Sequence, residues 1–224
     1  DTFNQSGLVN NIIVKSKDDF RTGAGNDTIN TGLGDSDFAD GGAGDDLLIV
    51  DYSIGDTGRG MTLSTGVTTE GFQGTAYRLN AAGNATLDRV DFSGINRFQV
   101  TGTSQNDNIN TASGNDTINS GAGDDNIDAG EGNNTINAGD GNDTIDAGGI
   151  GNDTIDGGAG VDNLTLNLSA QTGNIVINNA TTGINLTGIV TATNFENFTI
   201  TTGSGNDTFN QSGLVNNIIV KSKD

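Results

Sequence analysis

Aspartates that recur at a fixed spacing are the residues of this chain best suited to do chemistry. Between residues 102 and 165 the sequence repeats with a period of nine, with one extra residue at 147–156, and most units carry Asp at the sixth place. A second run of such units occupies 1–51 and 201–224. Carboxylate oxygens are hard ligands of the kind that suits Ca²⁺. The predicted metal ligands are Asp18, Asp27, Asp46, Asp107, Asp116, Asp125, Asp143, Asp153, Asp162 and Asp207.

Glycines accompany these aspartates in the pattern G-G-x-G-x-D-x-U-x, where U is apolar. The first six places predict a tight turn, because glycine accepts a positive φ at little cost. Small residues also let main-chain carbonyls of neighbouring turns converge beside the carboxylate, so each groove between turns is an all-oxygen cage. The glycines predicted to shape these cages are Gly23, Gly25, Gly42, Gly44, Gly114, Gly121, Gly123, Gly130, Gly132, Gly139, Gly141, Gly151, Gly158, Gly160, Gly203 and Gly205.

The last three places of each unit predict a short strand, with U pointing inward and its two neighbours outward. Two units make one loop around a thin core, and stacked loops give two parallel sheets without helix. The predicted inward residues are Ile109, Ile118, Ile127, Ile136, Ile145, Ile155 and Leu164, and in the second run Phe209, Ile218, Phe20, Ile29, Phe38 and Leu48.

Composition narrows the possible functions. The chain has 29 acidic and 9 basic residues, a net charge of −20, and neither His nor Cys. Zinc sites with nitrogen or sulfur ligands, thiolate nucleophiles, Ser-His-Asp triads and disulfides are therefore excluded. Nucleic acid and anionic membranes are poor partners for such an acidic chain. Its apolar runs are too short to span a membrane, so we expect no membrane insertion.

Charge also predicts that metal binding and folding are one event. Stacked carboxylates about 5 Å apart repel one another. A thin apolar column does not offset both this repulsion and the ordering of nine residues per unit. One Ca²⁺ for each of the ten aspartates, about ten per 206 residues, would match the net charge of −20.

A second, longer repeat concerns organisation. Residues 207–224 repeat residues 1–18 letter for letter, which predicts a tandem array with a unit of 206 residues. The expected blocks are a roll at 1–51, a β connector without calcium motifs at 52–100, a roll of seven units at 101–165, a β connector at 166–200, and the start of the next copy at 201–224. We expect the connectors to continue the stack as irregular coils, and a small separate β-domain at 52–100 is the alternative.

The units resemble the RTX family, also called hemolysin-type calcium-binding repeats, over 1–51, 101–165 and 201–224. This resemblance implies a right-handed parallel β-roll, an extracellular location, export by a type I secretion channel, and folding when calcium is met outside. Asn134, Asn216 and Ser36 depart from the motif at the Asp place, and Thr103 and Gln105 at glycine places. We expect weak or absent ion binding there.

A long array of identical units favours a structural role without enzyme activity: the rod of a giant RTX adhesin, or of a surface fibril. The expected partners are tandem copies of the unit itself and neighbouring rods, which associate laterally into filaments. An extracellular glycan or surface ligand is expected to bind elsewhere in the parent protein. One alternative is a ligand- or ice-binding face built on outward pairs such as Thr117 with Asn119 and Thr135 with Asn137. Another is the RTX tail of a toxin or hydrolase. Glu70, Asp88 and Asp91 could pair as hydrolytic carboxylates, but solvated acids are the favoured interpretation.

Overall fold

The fold is all β. The computed structural model of the chain describes residues 2–4, 9–11, 17–33, 36–54, 59–80, 82–149, 151–180, 183–186, 189–211 and 217–221. No helix occurs in these ranges, and therefore none that is long and apolar enough to cross a bilayer.

Short strands alternate with tight turns along the described chain. The strands are β1 (Thr2–Asn4), β2 (Val9–Asn11), β3 (Asp19–Arg21), β4 (Thr28–Asn30), β5 (Asp37–Asp40), β6 (Leu47–Asp51), β7 (Met61–Thr68), β8 (Gly71–Leu79), β9 (Ala85–Ile95), β10 (Arg97–Thr101), β11 (Asn108–Asn110), β12 (Thr117–Ala122), β13 (Asn126–Asp128), β14 (Thr135–Asp140), β15 (Thr144–Asp146), β16 (Asp153–Asp156), β17 (Asn163–Asn167), β18 (Val176–Ala180), β19 (Gly183–Leu186), β20 (Val190–Thr193), β21 (Asn197–Thr201), β22 (Thr208–Gln211) and β23 (Asn217–Lys221).

These strands form two sheets, and the chain crosses from one to the other as each unit ends. The first sheet has the order β1-β3-β5-β9-β8-β7-β11-β13-β15-β17-β21-β23, and the second has the order β2-β4-β6-β10-β12-β14-β16-β20-β19-β18-β22. In the 101–165 roll, equivalent residues pair in parallel across the stack, such as Ile109 with Ile127 and Ile118 with Ile136. The predicted parallel β-roll is confirmed.

The core is a column of apolar side chains between the two sheets. In β13 the central Ile127 is 1% exposed while Asn126 and Asp128 on either side face outward. The same pattern recurs at the other predicted inward positions of the 101–165 roll, which are all buried: Ile109, Ile118, Ile136, Ile145, Ile155 and Leu164. In the second run Phe20, Ile29 and Leu48 are buried as predicted.

Strand β5 corrects the prediction for Phe38. Burial alternates so that Asp37 and Ala39 point inward and Phe38 points outward, where the Arg21 guanidinium lies 4.8 Å from its ring centroid. The acidic place of this unit is therefore Asp37 and not Ser36. Because side chains alternate with a period of two, a shift of one residue exchanges the two faces of the strand.

The 52–100 stretch adds antiparallel strands to the first sheet. Strands β7, β8 and β9 form an antiparallel meander, while β9 pairs in parallel with β5 and β7 pairs in parallel with β11. The sheet therefore continues through the insertion. Its polar anchor is buried: Arg78 pairs with Asp88, donates a hydrogen bond to the Ile54 carbonyl at 2.6 Å, and lies 5.8 Å from the Tyr52 ring centroid.

The 166–200 stretch does the same in the second sheet. Strands β18, β19 and β20 run antiparallel to one another, while β20 pairs in parallel with β16 and β18 pairs in parallel with β22. Each insertion thus contributes two additional strands, one insertion to each sheet. The sequence predicts irregular coils that continue the stack. The stack does continue, but these segments fold back as hairpins because they lack the glycine–aspartate turns that carry the chain across to the opposite sheet.

The buried Arg78 anchor should stabilise the fold independently of calcium. Replacing Arg78 with Met leaves the Asp88 carboxylate without its cation, so we expect the free energy of unfolding of the calcium-saturated chain to fall by about 3 kcal/mol in chemical denaturation. The matched control is Arg89→Met, because the Arg89–Asp91 pair lies on the same meander with about 40% of each side chain exposed. That control should cost less than about 1 kcal/mol, and equal losses for the two variants would contradict the anchor.

Candidate metal centre

Buried aspartates form a hydrogen-bonded ladder along the edge of the roll. The backbone N–H of Asp107 donates to Oδ1 of Asp125 at 2.8 Å, Asp125 donates to Asp143 at 2.8 Å, and Asp143 donates to Asp162 at 2.8 Å. Each carboxylate thus accepts a hydrogen bond from the equivalent residue one loop earlier. The aspartate therefore fixes the register of neighbouring loops as well as offering a ligand.

A second ladder runs along the units whose strands lie in the other sheet. Oδ1 of Asp116 accepts from the Phe98 N–H at 2.8 Å, Oδ1 of Asn134 accepts from Asp116 at 3.0 Å, and Oδ1 of Asp153 accepts from Asn134 at 2.8 Å. Asn134 therefore keeps the structural contact of an aspartate while carrying no charge. This is the physical basis for the weak site expected there.

The N-terminal roll contains the same contacts. Asp18 donates to Oδ1 of Asp37 at 2.9 Å, Asp27 donates to Oδ1 of Asp46 at 2.8 Å, and Asp46 donates to Oδ1 of Asn96 at 3.0 Å. Nine of the ten predicted aspartates are buried, and the tenth, Asp207, is half-buried and accepts from the Ile175 N–H at 2.9 Å.

Three ladder residues were missed by the sequence analysis. Asp37 lies one place later than the nine-residue spacing predicts. The sequence feature that could have revealed it is Ala39, the apolar residue two places later that takes the inward position. Asn96 and Glu196 lie in stretches without the motif, and Oε2 of Glu196 accepts from the Asp162 N–H at 2.8 Å. No local spacing points to these two residues, because the insertions separate each from its partner in the ladder.

The Oδ2 atom of each buried carboxylate is the atom that a bound cation would stabilise. Each Oδ1 atom in the ladder accepts a backbone hydrogen bond, but the buried Oδ2 atoms of five aspartates make no hydrogen bond of ordinary geometry among the described residues. They belong to Asp46, Asp116, Asp125, Asp143 and Asp162. The Thr111 and Ser120 hydroxyls lie near Asp116 and Asp125 and lower their pKa values, but by less than burial raises them. A buried charged oxygen without a partner costs several kcal/mol.

The raised pKa values of these aspartates reflect the same unfavourable burial of a charged group. Burial, the largest cause, raises the pKa of Asp125 to about 7 and the pKa of Asp116 to about 6. Burial likewise raises the pKa of Asp153 and of Asp162 to about 6. In the absence of a cation these side chains therefore keep their protons until the pH approaches about 6 to 7, and a bound cation would favour the ionised form at lower pH.

Glycines bring main-chain oxygens close to the next loop. At Gly132 φ is +135°, and a Cβ atom built there would lie 1.8 Å from the carbonyl oxygen of Gly114 one loop earlier. No side chain fits in such a gap, so the carbonyls remain uncovered along the turn. A positive φ is found at Gly23, Gly25, Gly42, Gly44, Gly114, Gly121, Gly123, Gly130, Gly132, Gly139, Gly141, Gly151, Gly158 and Gly160.

Gly203 and Gly205 differ from the other predicted glycines, because neither has a positive φ. Close approach alone requires glycine there. A Cβ atom would lie 1.8 Å from the carbonyl oxygen of Gln171 at the first position and 2.4 Å from that of Gly173 at the second.

The donor set fits Ca²⁺. Within the ranges described above, no three acidic side chains converge as a metal-binding group. A cation between loops would therefore take its ligands from one or two carboxylates and from glycine carbonyls of the turns. Ca²⁺ accepts many oxygen ligands in flexible geometry, and most of them can be neutral carbonyls. Zinc and other softer ions prefer nitrogen and sulfur ligands that this chain lacks.

Asp107 is the exception among the predicted ligands. Its Oδ2 accepts from the Thr103 N–H at 2.7 Å, and its Oδ1 accepts from the Thr103 hydroxyl at 2.8 Å and from the Met61 N–H at 2.6 Å. Thr103 occupies a place where the motif has glycine. Because the protein itself donates hydrogen bonds to both oxygens, we expect a cation to be bound least favourably at this position.

A second, outer ladder of side-chain hydrogen bonds holds the turns at their exposed edge. Oδ1 of Asn106 accepts from the Asp124 N–H at 3.0 Å, Oδ1 of Asp124 accepts from Asn142 at 2.7 Å, and Oδ1 of Asn142 accepts from Val161 at 3.0 Å. Here the later loop donates, whereas in the buried ladder the earlier loop donates. This contact accounts for the frequent Asn immediately before the buried Asp in the repeat.

Of the three acids considered as hydrolytic carboxylates, Asp88 and Asp91 are each bound by an arginine, and Glu70 is exposed. Asp88 is paired with Arg78, and Asp91 accepts hydrogen bonds from Arg89 and from the Thr75 hydroxyl. Partial burial raises the pKa of Asp91, but the bonds from Arg89 and Thr75 outweigh it and hold the pKa below its usual value. Both carboxylates are therefore engaged by arginine.

Fold and site together define a parallel β-roll whose turns bind calcium. The sequence model of the RTX calcium-binding nonapeptide repeat matches the chain four times, at residues 16–48, 101–136, 121–149 and 147–168. Over these residues the chain carries RTX nonapeptide repeats, a type of repeat that binds calcium. No curated protein matches the chain. The matches end at 168, whereas the hydrogen-bonded ladder continues beyond them to Glu196.

Calcium stoichiometry tests the buried aspartates directly. The substitution Asp125→Asn keeps the oxygen that accepts from Asp107 but removes the charge, so we expect fewer bound Ca²⁺ ions per chain in equilibrium dialysis. Asp124→Asn is the matched control, since this exposed neighbour belongs to the outer ladder. The control should leave the calcium count unchanged. Equal counts for the Asp125 variant and the wild-type chain would remove Asp125 from the ligand set.

Burial of the aspartates also predicts an inverse pH dependence of the metal-free fold. With folded-state pKa values of about 6 to 7 for Asp116 and Asp125, above the ordinary aspartate value of 3.8, the folded chain binds more protons than the unfolded chain between those limits. Metal-free stability should therefore fall as pH rises from about 4 to about 7.

Calcium affinity should change in the opposite direction, because protons compete with the cation for the carboxylates. Circular dichroism of protein freed of metal by dialysis should show more β-structure at about pH 5 than at about pH 8. The increment caused by added calcium should be larger at the higher pH. A metal-free fold that strengthens as the pH rises would contradict the assignment of these buried groups.

Proposed function

We propose that this chain is a structural segment of a long extracellular protein, in which tandem copies stack into a rod that calcium makes rigid. The observation that carries the proposal is the row of buried Oδ2 atoms without hydrogen-bond partners, at Asp46, Asp116, Asp125, Asp143 and Asp162. At neutral pH, where these carboxylates ionise, a roll with such a row needs cations between its loops to be stable. Calcium concentration in the medium then sets the stiffness of the rod.

The continuity of the sheets supports stacking of copies. Both sheets run through the two insertions without a break, so neither insertion ends the stack. At the C-terminal end, the Phe209 side chain pairs with the buried Ile177 and yet is 42% exposed. A further loop stacked on β22 would cover this side chain. Repeat proteins bury such end faces against the next unit.

The dimensions and charge of a copy follow from the same sheets. The described residues up to 206 contribute eleven strands to the first sheet, which at about 4.8 Å per strand gives an advance of about 50 Å per copy. We propose about ten Ca²⁺ per copy, fewer if Asp107 binds none. A chain that folds only with calcium fits export in an unfolded state and folding outside the cell, and the type I channel remains part of this proposal.

A threonine column on the second sheet favours a second candidate, a ligand-binding face. Thr117, Thr135, Thr154 and Thr191 lie in register on consecutive strands and are exposed. Such a flat, mostly uncharged face suits an ordered ligand such as ice, or lateral packing of one rod against another. Thermal hysteresis measured with the calcium-loaded chain tests the ice-binding form, and its absence would remove that form.

The rod proposal is tested with chains of one, two and three copies. In millimolar calcium we expect β-rich circular dichroism and, by electron microscopy, rods that lengthen by about 50 Å with each added copy. With a chelator at neutral pH the β signal should be lost, because the buried carboxylates lose their cations. Equal β content with and without calcium, or particles whose length does not grow with copy number, would contradict the proposal.

A further inference from the structure

We infer that successive copies in the array are related by a half-turn about the rod axis, so that each copy presents its two sheet faces on sides opposite to those of its neighbours. The inference rests on the proposed tandem array. It begins with the segment that occurs twice in this chain, at 1–18 and at 207–224.

The two occurrences of this segment begin in different sheets. Strand β1, Thr2–Asn4, pairs with β3 in the first sheet. Strand β22, which starts with the same three residues at 208–210, pairs with β18 in the second sheet. Since β22 is also β1 of the following copy, that copy builds its own first sheet onto the second sheet of this one.

The number of strands explains why the sheets exchange. From β1 to β21 the described chain has twenty-one strands, eleven in the first sheet and ten in the second. An odd number cannot be shared equally by two sheets within one copy. If every copy faced the same way, one sheet would gain one more strand than the other in each copy.

Such an imbalance would accumulate along the rod. Each extra strand displaces one sheet against the other by about 4.8 Å, so a few copies would pull the two halves of the core out of contact. A half-turn between copies cancels this displacement. Two copies then contribute eleven plus ten strands to one sheet and ten plus eleven to the other, twenty-one to each.

The half-turn has a consequence for the surface of the rod. The threonine column of Thr117, Thr135, Thr154 and Thr191 lies on the second sheet only. In the array this column would therefore face one side of the rod in one copy and the opposite side in the next. On a given side of the rod it would recur in every second copy. Twenty-one strands at about 4.8 Å make that repeat about 100 Å. A partner that recognises this column would meet it on both sides of the rod.

The sheet assignment of β22 is testable in the 224-residue chain, which has no native cysteine. Val176 and Thr208 are register partners with exposed side chains, so the double variant V176C/T208C should form a disulfide in calcium under mild oxidation. The control is N197C/T208C, because Asn197 lies on β21 and would be the partner only if β22 joined the first sheet. Cross-linking of the control pair instead of the first pair would overturn the inference.

The half-turn itself is tested with a chain of three copies that carries Thr135→Cys in each copy. After biotinylation and binding of streptavidin, electron microscopy should show the first and third labels on one side of the rod and the second on the other. Labels on one side only would overturn the half-turn and leave the rod intact. If no rods form, both the proposed function and the half-turn between copies fail. This outcome is distinguishable from rods that carry all their labels on one side.

Discussion

A buried carboxylate with one oxygen engaged and the other not is the constraint on which the roll depends. In Asp125 and Asp143, Oδ1 accepts a backbone N–H from the preceding loop while Oδ2 is buried without a hydrogen-bond partner. The first contact sets the register between loops, and the second requires a cation. One side chain thus combines alignment of the stack with its dependence on calcium, and Asn134 shows that the first role survives without the charge that the second needs.

The apolar core is thin in the rolls and larger in the 52–100 insertion. In the rolls, each strand contributes about one inward side chain such as Ile127 or Ile136, which is little apolar burial per ordered residue. The 52–100 insertion differs, because it buries Met61, Leu63 and Phe92 and contains the Arg78–Asp88 pair. The chain therefore alternates between segments stabilised by metal and a segment with a larger core of its own.

Regular spacing made much of this fold predictable from the sequence. The period of nine gave the inward isoleucines and most of the buried aspartates, because glycine turns and alternation are local properties. The one-residue shift at Asp37 and the ladder positions of Asn96 and Glu196 were not predictable in the same way. Their roles depend on which strands the insertions bring together, and pairing of antiparallel hairpins inside a parallel sheet is set by tertiary contacts rather than by any local repeat.

The outer ladder of asparagines gives the roll a part that is insensitive to its ion. Asn106, Asn142 and the similarly placed Asn133 and Asn152 hold neighbouring turns by neutral hydrogen bonds at the solvent edge. The asparagine amides do not titrate, although Asp124 takes the same place between Asn106 and Asn142, and the N–H donors of this ladder run opposite to those of the buried ladder. Because these contacts need no ion, they favour the same register between neighbouring loops whether or not the buried carboxylates hold a cation, and they give a calcium-free chain a local bias toward the alignment that the ion then fixes.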